Sequence, residues 1–350
     1  MIIDGRTIGP GQPCYVVAEM SANHGQDLDR ACAIIRAAKR AAADAVKVQT
    51  YTPDTLTLDC DSEYFRLDDH PLWAGRTLHE LYRTAYMPWS WYPRLKETAA
   101  EVGLTLFSSP FDETAVDFLE AQGAPAYKIA SFELVDVPLL TRVAATGKPV
   151  ILSTGMATRD EIALALATLR AGGAGDIALL KCVSAYPADA ADMNLRTIPD
   201  MARTFGAVVG LSDHTTTSTA AVAAVALGAT LVEKHLAIPG GAASPDAAFS
   251  LLPEGFARMV EEIRTAEKAL GGVFYGCAAG EKVSVRFRRS LFAVCDIAAG
   301  ETITPQNVRV IRPGYGLAPK HYATVLGRKA CRAIPRGTPL AWLMLEGPPA

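Results

Sequence analysis

The sequence lacks several features that would assign it to other classes of protein. No apolar stretch approaches the roughly 18–20 residues of a membrane-spanning helix, and the segment MIIDGRTIGPGQP lacks the basic-then-apolar pattern of a signal peptide. The seven cysteines include no CxxC pair, and their scatter favours free thiols in a reducing compartment. A net charge of −3 offers no electrostatic attraction to nucleic acid or to an anionic membrane. We therefore expect a cytoplasmic protein that acts on small molecules.

Alternating short apolar runs and helical segments occupy the chain from Tyr15 to Leu270. Eight strand–helix pairs of this kind predict a (β/α)₈ TIM barrel, an α/β fold, preceded by a small hairpin over 2–13. An open doubly wound sheet is the alternative, but it needs a glycine-rich phosphate turn after its first strand. The residues at that point, Glu19 to Asn23, do not form such a turn.

The residue pattern changes beyond Gly280, where Gly and Pro interrupt short runs that are typical of β-strands. This pattern is typical of a separate small β-rich domain. We expect a barrel catalytic domain with its N-terminal hairpin over 1–272, a linker over 273–287 and a small domain over 288–350.

Two histidines follow neighbouring predicted strands in the stretch VVGLSDHTTTSTAAVAAVALGATLVEKH, residues 208–235. We predict a strand over Val208–Ser212, a helix over Thr215–Leu227 and a strand over Leu231–His235. Because parallel strands lie roughly 5 Å apart, His214 and His235 would meet at the open end of the sheet and could share one divalent metal ion. The alternative is a structural pair of histidines whose ring nitrogens form hydrogen bonds with nearby carboxylates.

Polar groups stand at nearly every strand end, where a barrel of this type builds its active site. They are Glu19, Lys47 with Gln49, Ser108 with Ser109, Lys128 with Ser131, Ser153, Lys181 with Ser184 and Tyr186, Ser212 with His214, and Glu233 with His235. Lysines, hydroxyls and helix N-termini suit a ligand that carries phosphate and carboxylate. Two histidines suit a metal that acts on a carbonyl or on water. The pattern predicts a metal-assisted enzyme that joins a small phosphorylated acid to a carbonyl compound.

The connection over residues 51–87 is unusually long and rich in aromatic and charged residues. Connections of this length are more often functional than idle, although a helical surface insertion is an equally good interpretation. We expect Tyr64, Phe65 and Trp73 to supply walls for the substrate site.

Seven segments, in order along almost the whole chain, resemble the sialic acid synthase family. They are AEMSANH (18–24), ADAVKVQTYTPDTLTLD (43–59), YKIASFE (127–133), ILSTGMAT (151–158), GLSDHT (210–215), EKH (233–235) and IRPGYGL (311–317). The resemblance implies condensation of phosphoenolpyruvate with an N-acylated hexose to give a nine-carbon 2-keto acid. It also implies a barrel followed by a SAF domain, similar to type III antifreeze protein. YTPDTLTLD, KIASFE and the segment over 73–89 are most similar to the pseudaminic acid synthase branch, whose sugar is 2,4-diacetamido-2,4,6-trideoxy-L-altrose.

The resemblance also implies a role for each site residue. His214 and His235 would hold a divalent metal, typically Mn²⁺, Mg²⁺ or Co²⁺ in this family, and Glu19 would be well placed for proton transfer. The phosphoenolpyruvate site would comprise Lys47, Ser109, Lys128, Ser131, Ser153, Ser184 and Ser212. The sugar would face Glu19, Gln49, Tyr186 and Asp246, with Arg312 reaching an N-acetyl group, usually across the interface of a homodimer.

Three alternatives remain open from the residues. The first is the same chemistry on another hexose, as in N-acetylneuraminate or legionaminic acid synthases. The second is an aldolase that uses Lys128 or Lys47 as a Schiff-base amine. The third is a non-catalytic carbohydrate-binding protein, which would leave the lysines inside the barrel unexplained.

Overall fold

The computed structural model describes residues 1–68, 74–240 and 244–347. It divides into two compact units, Met1–Gly271 and Gly272–Ala350. No helix within the described ranges has both the length and the hydropathy to cross a membrane.

The first unit is an eight-stranded closed parallel barrel, as the alternating pattern predicts. An antiparallel hairpin of β1 (Ile2–Ile3) and β2 (Arg6–Thr7) precedes it. The barrel strands are β3 (Tyr15–Glu19), β4 (Ala45–Thr50), β5 (Thr105–Pro110), β6 (Tyr127–Ile129), β7 (Val150–Ser153), β8 (Ile177–Cys182), β9 (Val208–Asp213) and β10 (Leu231–His235). Pairing of β10 with β3 closes the barrel and sets His235 opposite Glu19.

Helices follow every barrel strand. They are α1 (Leu28–Arg40), α2 (Pro53–Leu56), α3 (Leu78–Ala85), α4 (Tyr92–Glu101), α5 (Glu113–Ala121), α6 (Val137–Ala144), α7 (Arg159–Ala171), α8 (Thr197–Phe205), α9 (Thr219–Ala226) and α10 (Pro253–Leu270). The helices α2 and α3 belong to the long connection between β4 and α4. Leucine, isoleucine, valine and alanine on the barrel-facing sides of the other helices pack on the outward-facing side chains of the strands.

Side-chain alternation divides each strand between the barrel interior and the helix layer. The lower interior is apolar and is filled by Ile3, Ile8, Tyr15, Val17, Ala45, Phe107, Ala126, Ile151, Leu180 and Leu231. At Gly210 a Cβ atom would lie 2.2 Å from the Leu231 carbonyl oxygen, so glycine is required where β9 and β10 approach each other. The upper interior, two residues further along the strands, is polar and forms the floor of a cavity.

The structure corrects the predicted start of α9. The sequence pattern favours a helix from Thr215, but α9 begins at Thr219. The carbonyl groups of Thr215 and Thr217 accept hydrogen bonds from the buried Lys234 ammonium. These carbonyls are therefore held in a loop that precedes the helix.

The second unit has β11 (Ser290–Ala293) paired antiparallel with β12 (Val308–Ile311), and the short helix α11 (Tyr322–Val325). Its own apolar core comprises Leu291, Ala293, Ile297, Ile303, Val308, Val325, Ala330, Ile334, Leu340 and Leu345. A short, mostly β-bridged chain with an independent core agrees with the small β-rich domain expected from the sequence.

Candidate active site

A cavity of about 260 Å³ opens at the carboxyl ends of the barrel strands. Most of the predicted site residues line it: Lys47, Gln49, Lys128, Ser131, Ser153, Tyr186, Ser212, His214, His235 and Asp246. Glu19, Ser109 and Ser184 lie behind this lining, each against a residue that forms it. The barrel therefore brings together nearly all the groups that the strand ends suggested.

Two buried lysines and two buried carboxylates form a network on the cavity floor. Lys47 Nζ lies 3.0 Å from Glu19 Oε2, 3.3 Å from Glu233 Oε1 and 3.1 Å from Ser109 Oγ. Lys128 Nζ lies 3.4 Å from the same Glu233 oxygen. The two cations are thus held on either side of one carboxylate, and both line the cavity. The two amino groups are therefore within reach of an anion with several oxygens in the cavity.

Burial and charge act in opposite directions on the pKa values of this network. Burial raises the pKa of Glu19. Burial also opposes ionisation of Glu233, but Lys128 and Lys47 outweigh it and hold the pKa of Glu233 below its usual range. Burial lowers the pKa of Lys128, whereas Glu19 and Glu233 overcome burial at Lys47 and raise its pKa. Lys47 is therefore the firmly charged cation, and Glu19 is the carboxyl group that holds a proton more readily.

Hydroxyl groups gather beside the lysines around Gly155. The Gly155 N–H donates to Ser131 Oγ at 3.0 Å. A Cβ atom at position 155 would lie 2.2 Å from Ser184 Oγ and 2.7 Å from Ser131 Oγ. Glycine therefore leaves the space that these hydroxyls occupy. The buried Ser153 hydroxyl has no hydrogen-bond partner within the described part of the chain, and it is available to a ligand.

The two histidines face each other with their ring centroids 5.3 Å apart. His214 donates from Nδ1 to the Val183 carbonyl at 2.8 Å, which leaves Nε2 as the nitrogen that could bind a metal. Burial opposes the charged form of His214, but Cys182 and this carbonyl outweigh burial and raise its pKa, so a metal at Nε2 would have to displace a proton. Burial, with His214 and Lys47 nearby, lowers the pKa of His235 well below its usual value, so this ring is neutral. His235 Nδ1 is buried and finds no partner among the described residues.

This pair fits a metal ion that takes two ligands from the protein. Neutral imidazole nitrogens are common ligands of divalent transition metals. No group of three or more His, Cys, Asp or Glu side chains in residues 1–68, 74–240 and 244–347 is arranged to hold a metal. Substrate or water would therefore have to supply the remaining ligands.

Two of the predicted sugar-binding residues in the barrel lie beside the lysine network and the histidine pair. Gln49 Nε2 donates to Glu19 Oε1 at 3.1 Å and to Ser21 Oγ at 3.0 Å. Burial raises the pKa of Asp246, which accepts a hydrogen bond from the Ala22 N–H. Tyr186 packs on His214 at 4.5 Å between ring centroids. Arg312 is exposed in the second unit, directly after β12.

Two sequence predictions about the site are wrong. Tyr64 is 82% exposed and does not line the cavity, nor does Phe65, while Trp73 lies outside the described residues. Lys181 does not line it either, because it points to the opposite face of β8 from Cys182 and donates to a backbone carbonyl. Alternation within IALLKC identifies Cys182 as the inward residue.

Several cavity residues were given no role from the sequence. Glu133 has a pKa raised by burial to about 7. Cys182 lies 3.8 Å from His214 Nδ1. Burial opposes ionisation of its thiol, but His214 lowers its pKa to about 7. Phe249 does not line the cavity, but it packs on His235 at 4.8 Å between ring centroids. Glu233 was noted only as a strand-end group. Contacts between strands distant in the sequence give these residues their importance.

A closed parallel barrel with two lysines, a serine cluster and a histidine pair at its carboxyl end defines a barrel enzyme for anionic substrates. Comparison with known proteins identifies the family to which this enzyme belongs. Residues 34–275 match the NeuB family and residues 288–346 match the SAF domain. The chain belongs to the NeuB family and is an enzyme of that family.

Its relatives include the pseudaminic acid synthase of Helicobacter pylori, 43% identical over 94% of this chain and 97% of the relative. The N,N'-diacetyllegionaminic acid synthase of Legionella pneumophila is 32% identical over 97% and 96% of the two chains. Among solved structures, the spore coat polysaccharide biosynthesis protein spsE of Bacillus subtilis is 33% identical, with a TM-score of 0.66 over 100% and 99% of the two chains.

Proposed function

We propose that this enzyme condenses phosphoenolpyruvate with 2,4-diacetamido-2,4,6-trideoxy-L-altrose and water, giving pseudaminic acid and phosphate. The observation that carries the proposal is one cavity lined both by two buried lysines and serine hydroxyls from the strand ends and by apolar residues from the connection over 51–87. The polar groups suit a compact anion, and the apolar residues suit a deoxygenated, acetylated sugar. The greater identity to a pseudaminic acid synthase than to a legionaminic acid synthase supports this choice of hexose.

In the proposed reaction, C3 of phosphoenolpyruvate forms a bond to the aldehyde carbon of the open-chain sugar. Water adds at C2, and the C2–O bond to phosphate breaks. Lys47 and Lys128 would neutralise the phosphate and carboxylate of phosphoenolpyruvate. Hydroxyl groups would donate hydrogen bonds to the same oxygens from Ser109, Ser131, Ser153, Ser184 and Ser212. Glu233 would keep both lysines in place beside that anion, because it pairs with each of them.

Glu19 is our candidate for proton transfer, since burial raises its pKa and lets it hold a proton more readily than an exposed carboxyl group does. It contacts Lys47 and Gln49, the two lining residues through which it would act. Gln49, Tyr186 and Asp246 would bind the sugar. His214 and His235 would hold a divalent metal, Mn²⁺, Mg²⁺ or Co²⁺, which when bound would polarise the sugar aldehyde. Synthases of this family are metal-dependent in general.

We further propose that residues 1–272 form the catalytic domain, 273–287 a linker and 288–350 the SAF domain, and that the protein is a homodimer. Val273 and Tyr275 are 93% and 94% exposed, which is unusual for apolar residues unless another surface covers them. Arg312 would reach an acetamido group of the sugar from the partner subunit. The free state of all seven cysteines favours a cytoplasmic location.

The test is phosphate release from phosphoenolpyruvate with a panel of acetamido sugars, with and without chelator. We expect rapid turnover of the diacetamido-trideoxy-altrose, poor turnover of N-acetylmannosamine, and loss of activity with chelator. Comparable rates on N-acetylmannosamine would move the assignment to neuraminate synthase. A chain truncated after residue 287 should stay folded and lose most activity; full activity would remove Arg312 from the site.

A Schiff-base aldolase is the second candidate, because burial lowers the pKa of Lys128 and so increases its amine character. Borohydride in the presence of phosphoenolpyruvate and sugar would trap such an intermediate as a covalent adduct. We expect no adduct, because both lysines pair with Glu233. A non-catalytic carbohydrate-binding protein would bind sugar and release no phosphate.

A further inference from the structure

The helix α3 has an apolar stripe that faces the cavity. Leu78, Leu81, Tyr82 and Ala85 follow the spacing i, i+3, i+4 and i+7 and so share one side of the helix. All four line the cavity. Such a stripe normally packs on a protein core, yet Leu78, Tyr82 and Ala85 are only half-buried. The helix thus presents apolar surface to the space that substrate would fill.

Local interactions hold this helix in a defined position. Thr77 and Glu80 form a reciprocal capping box at its first turn, with N–H to side-chain distances of 3.0 and 3.2 Å. The Tyr82 ring meets Tyr51 edge-on at 5.8 Å between centroids. The opposite side of the connection is charged, as Arg66 pairs with Asp61 and Asp68 in solvent. The connection is therefore two-sided, and its apolar side is a built wall of the cavity.

The wall differs in chemistry from the rest of the cavity. The connection contributes Leu56 and Leu67 to the lining besides the α3 stripe, and its polar lining groups in the described residues are the phenols of Tyr51 and Tyr82. The charged groups and the serine hydroxyls of the lining come from the strand ends and the loops that follow them. The reacting aldehyde must lie among those polar groups. The far end of the hexose, C6, is then the part left for the apolar wall.

We propose that the α3 stripe, with Leu56 and Leu67, is the specificity surface that recognises a methyl group at C6 of the sugar. This inference rests on the proposed function and extends it to the residues that discriminate 6-deoxy from 6-hydroxy sugars. A methyl group buries favourably against leucine, whereas a hydroxyl at the same place loses its hydrogen bonds to water without gaining a partner. One such group changes kcat/KM by roughly 10–200-fold in apolar pockets.

The test compares Leu78→Asn and Leu56→Asn with the matched control Leu58→Asn. Leu58 lies in the same connection but is 60% exposed and does not line the cavity. The substrates are 2,4-diacetamido-2,4,6-trideoxy-L-altrose and its 6-hydroxy counterpart. We expect both cavity variants to lose about tenfold in kcat/KM on the 6-deoxy sugar and less than twofold on the 6-hydroxy sugar. The KM for phosphoenolpyruvate and the thermal midpoint of Leu78→Asn should match those of the control.

The results distinguish failure of the specificity surface from failure of the proposed function. If the wild type turns over the 6-deoxy sugar but both cavity variants keep the wild-type preference, the stripe is not the specificity surface. The same conclusion follows if Leu58→Asn changes the preference equally, or if the wild type shows no preference between the two sugars. If the wild type turns over neither sugar, the proposed function itself fails and the inference falls with it.

Discussion

The buried ion pair between Lys234 and Asp213 lies behind the two histidines and is open to a quantitative test. Both side chains are 0% exposed, and Lys234 Nζ lies 2.8 Å from Asp213 Oδ2. The ammonium also donates to Thr215 and Thr217, and Asp213 accepts from the Thr215 N–H at 2.9 Å. Each residue of the pair lies between two inward-facing site residues on its own strand. The pair therefore ties β9 to β10 at the point where His214 and His235 leave the sheet.

We expect Lys234→Met to destabilise the barrel strongly. The substitution keeps the length of the stem but leaves the Asp213 carboxylate buried without a counter-ion. Removing one partner of a buried pair typically costs about 3–5 kcal/mol, which corresponds to roughly 6–20 °C in Tm for a domain of this size. Replacing both residues, as Lys234→Met with Asp213→Asn, should recover part of this loss because no unpaired charge remains.

The assay is urea and thermal unfolding of the two variants beside Arg203→Met. Arg203 pairs with Asp200 in solvent, where both side chains are more than half exposed. Loss of that exposed pair should cost less than about 1 kcal/mol. A free energy of unfolding for Lys234→Met within about 1 kcal/mol of wild type would refute the reasoning. So would a double variant less stable than Lys234→Met alone.

Three further predictions concern the cavity. His214→Ala and His235→Ala should each abolish turnover and weaken Mn²⁺ binding, measured by calorimetry, at least about tenfold. The circular dichroism spectrum of each variant should be unchanged. Full activity of either variant in metal-free buffer would contradict this prediction. Lys47→Met and Lys128→Met should raise the KM for phosphoenolpyruvate about tenfold or more; a change confined to the KM of the sugar would show that the anion site is elsewhere. The raised pKa of Glu133, about 7, adds stability to the folded state below about pH 4.5 that is lost as the pH rises through 7. The free energy of unfolding of wild type relative to Glu133→Gln should therefore fall by roughly 3 kcal/mol between pH 4.5 and 8; a difference independent of pH would exclude the shift.

The fold and much of the site could be predicted because their signals are local in the chain. Short apolar runs alternating with helical segments are a local pattern, and they predicted all eight strands. Lys47 and Gln49, named together at one strand end, both line the cavity, as alternation along a strand requires. The same rule, applied to IALLKC, would have chosen Cys182 over Lys181. The stripe of α3 has a helical period in the sequence, but the period alone does not show that this side of the helix faces a cavity.

The sequence by itself determined the barrel, the strand ends and the residue types that line the cavity, because each depends on a few neighbouring residues. Tertiary structure alone decided which of those residues act together. Closure of β10 against β3 sets His235 beside Glu19, and Glu233 meets Lys128 across 105 positions of sequence. Burial then decides which groups of the network hold a charge, since desolvation depends on every element packed around them. The connection over 51–87 makes the same point, because only its folded position shows that leucines, and not Tyr64, face the cavity.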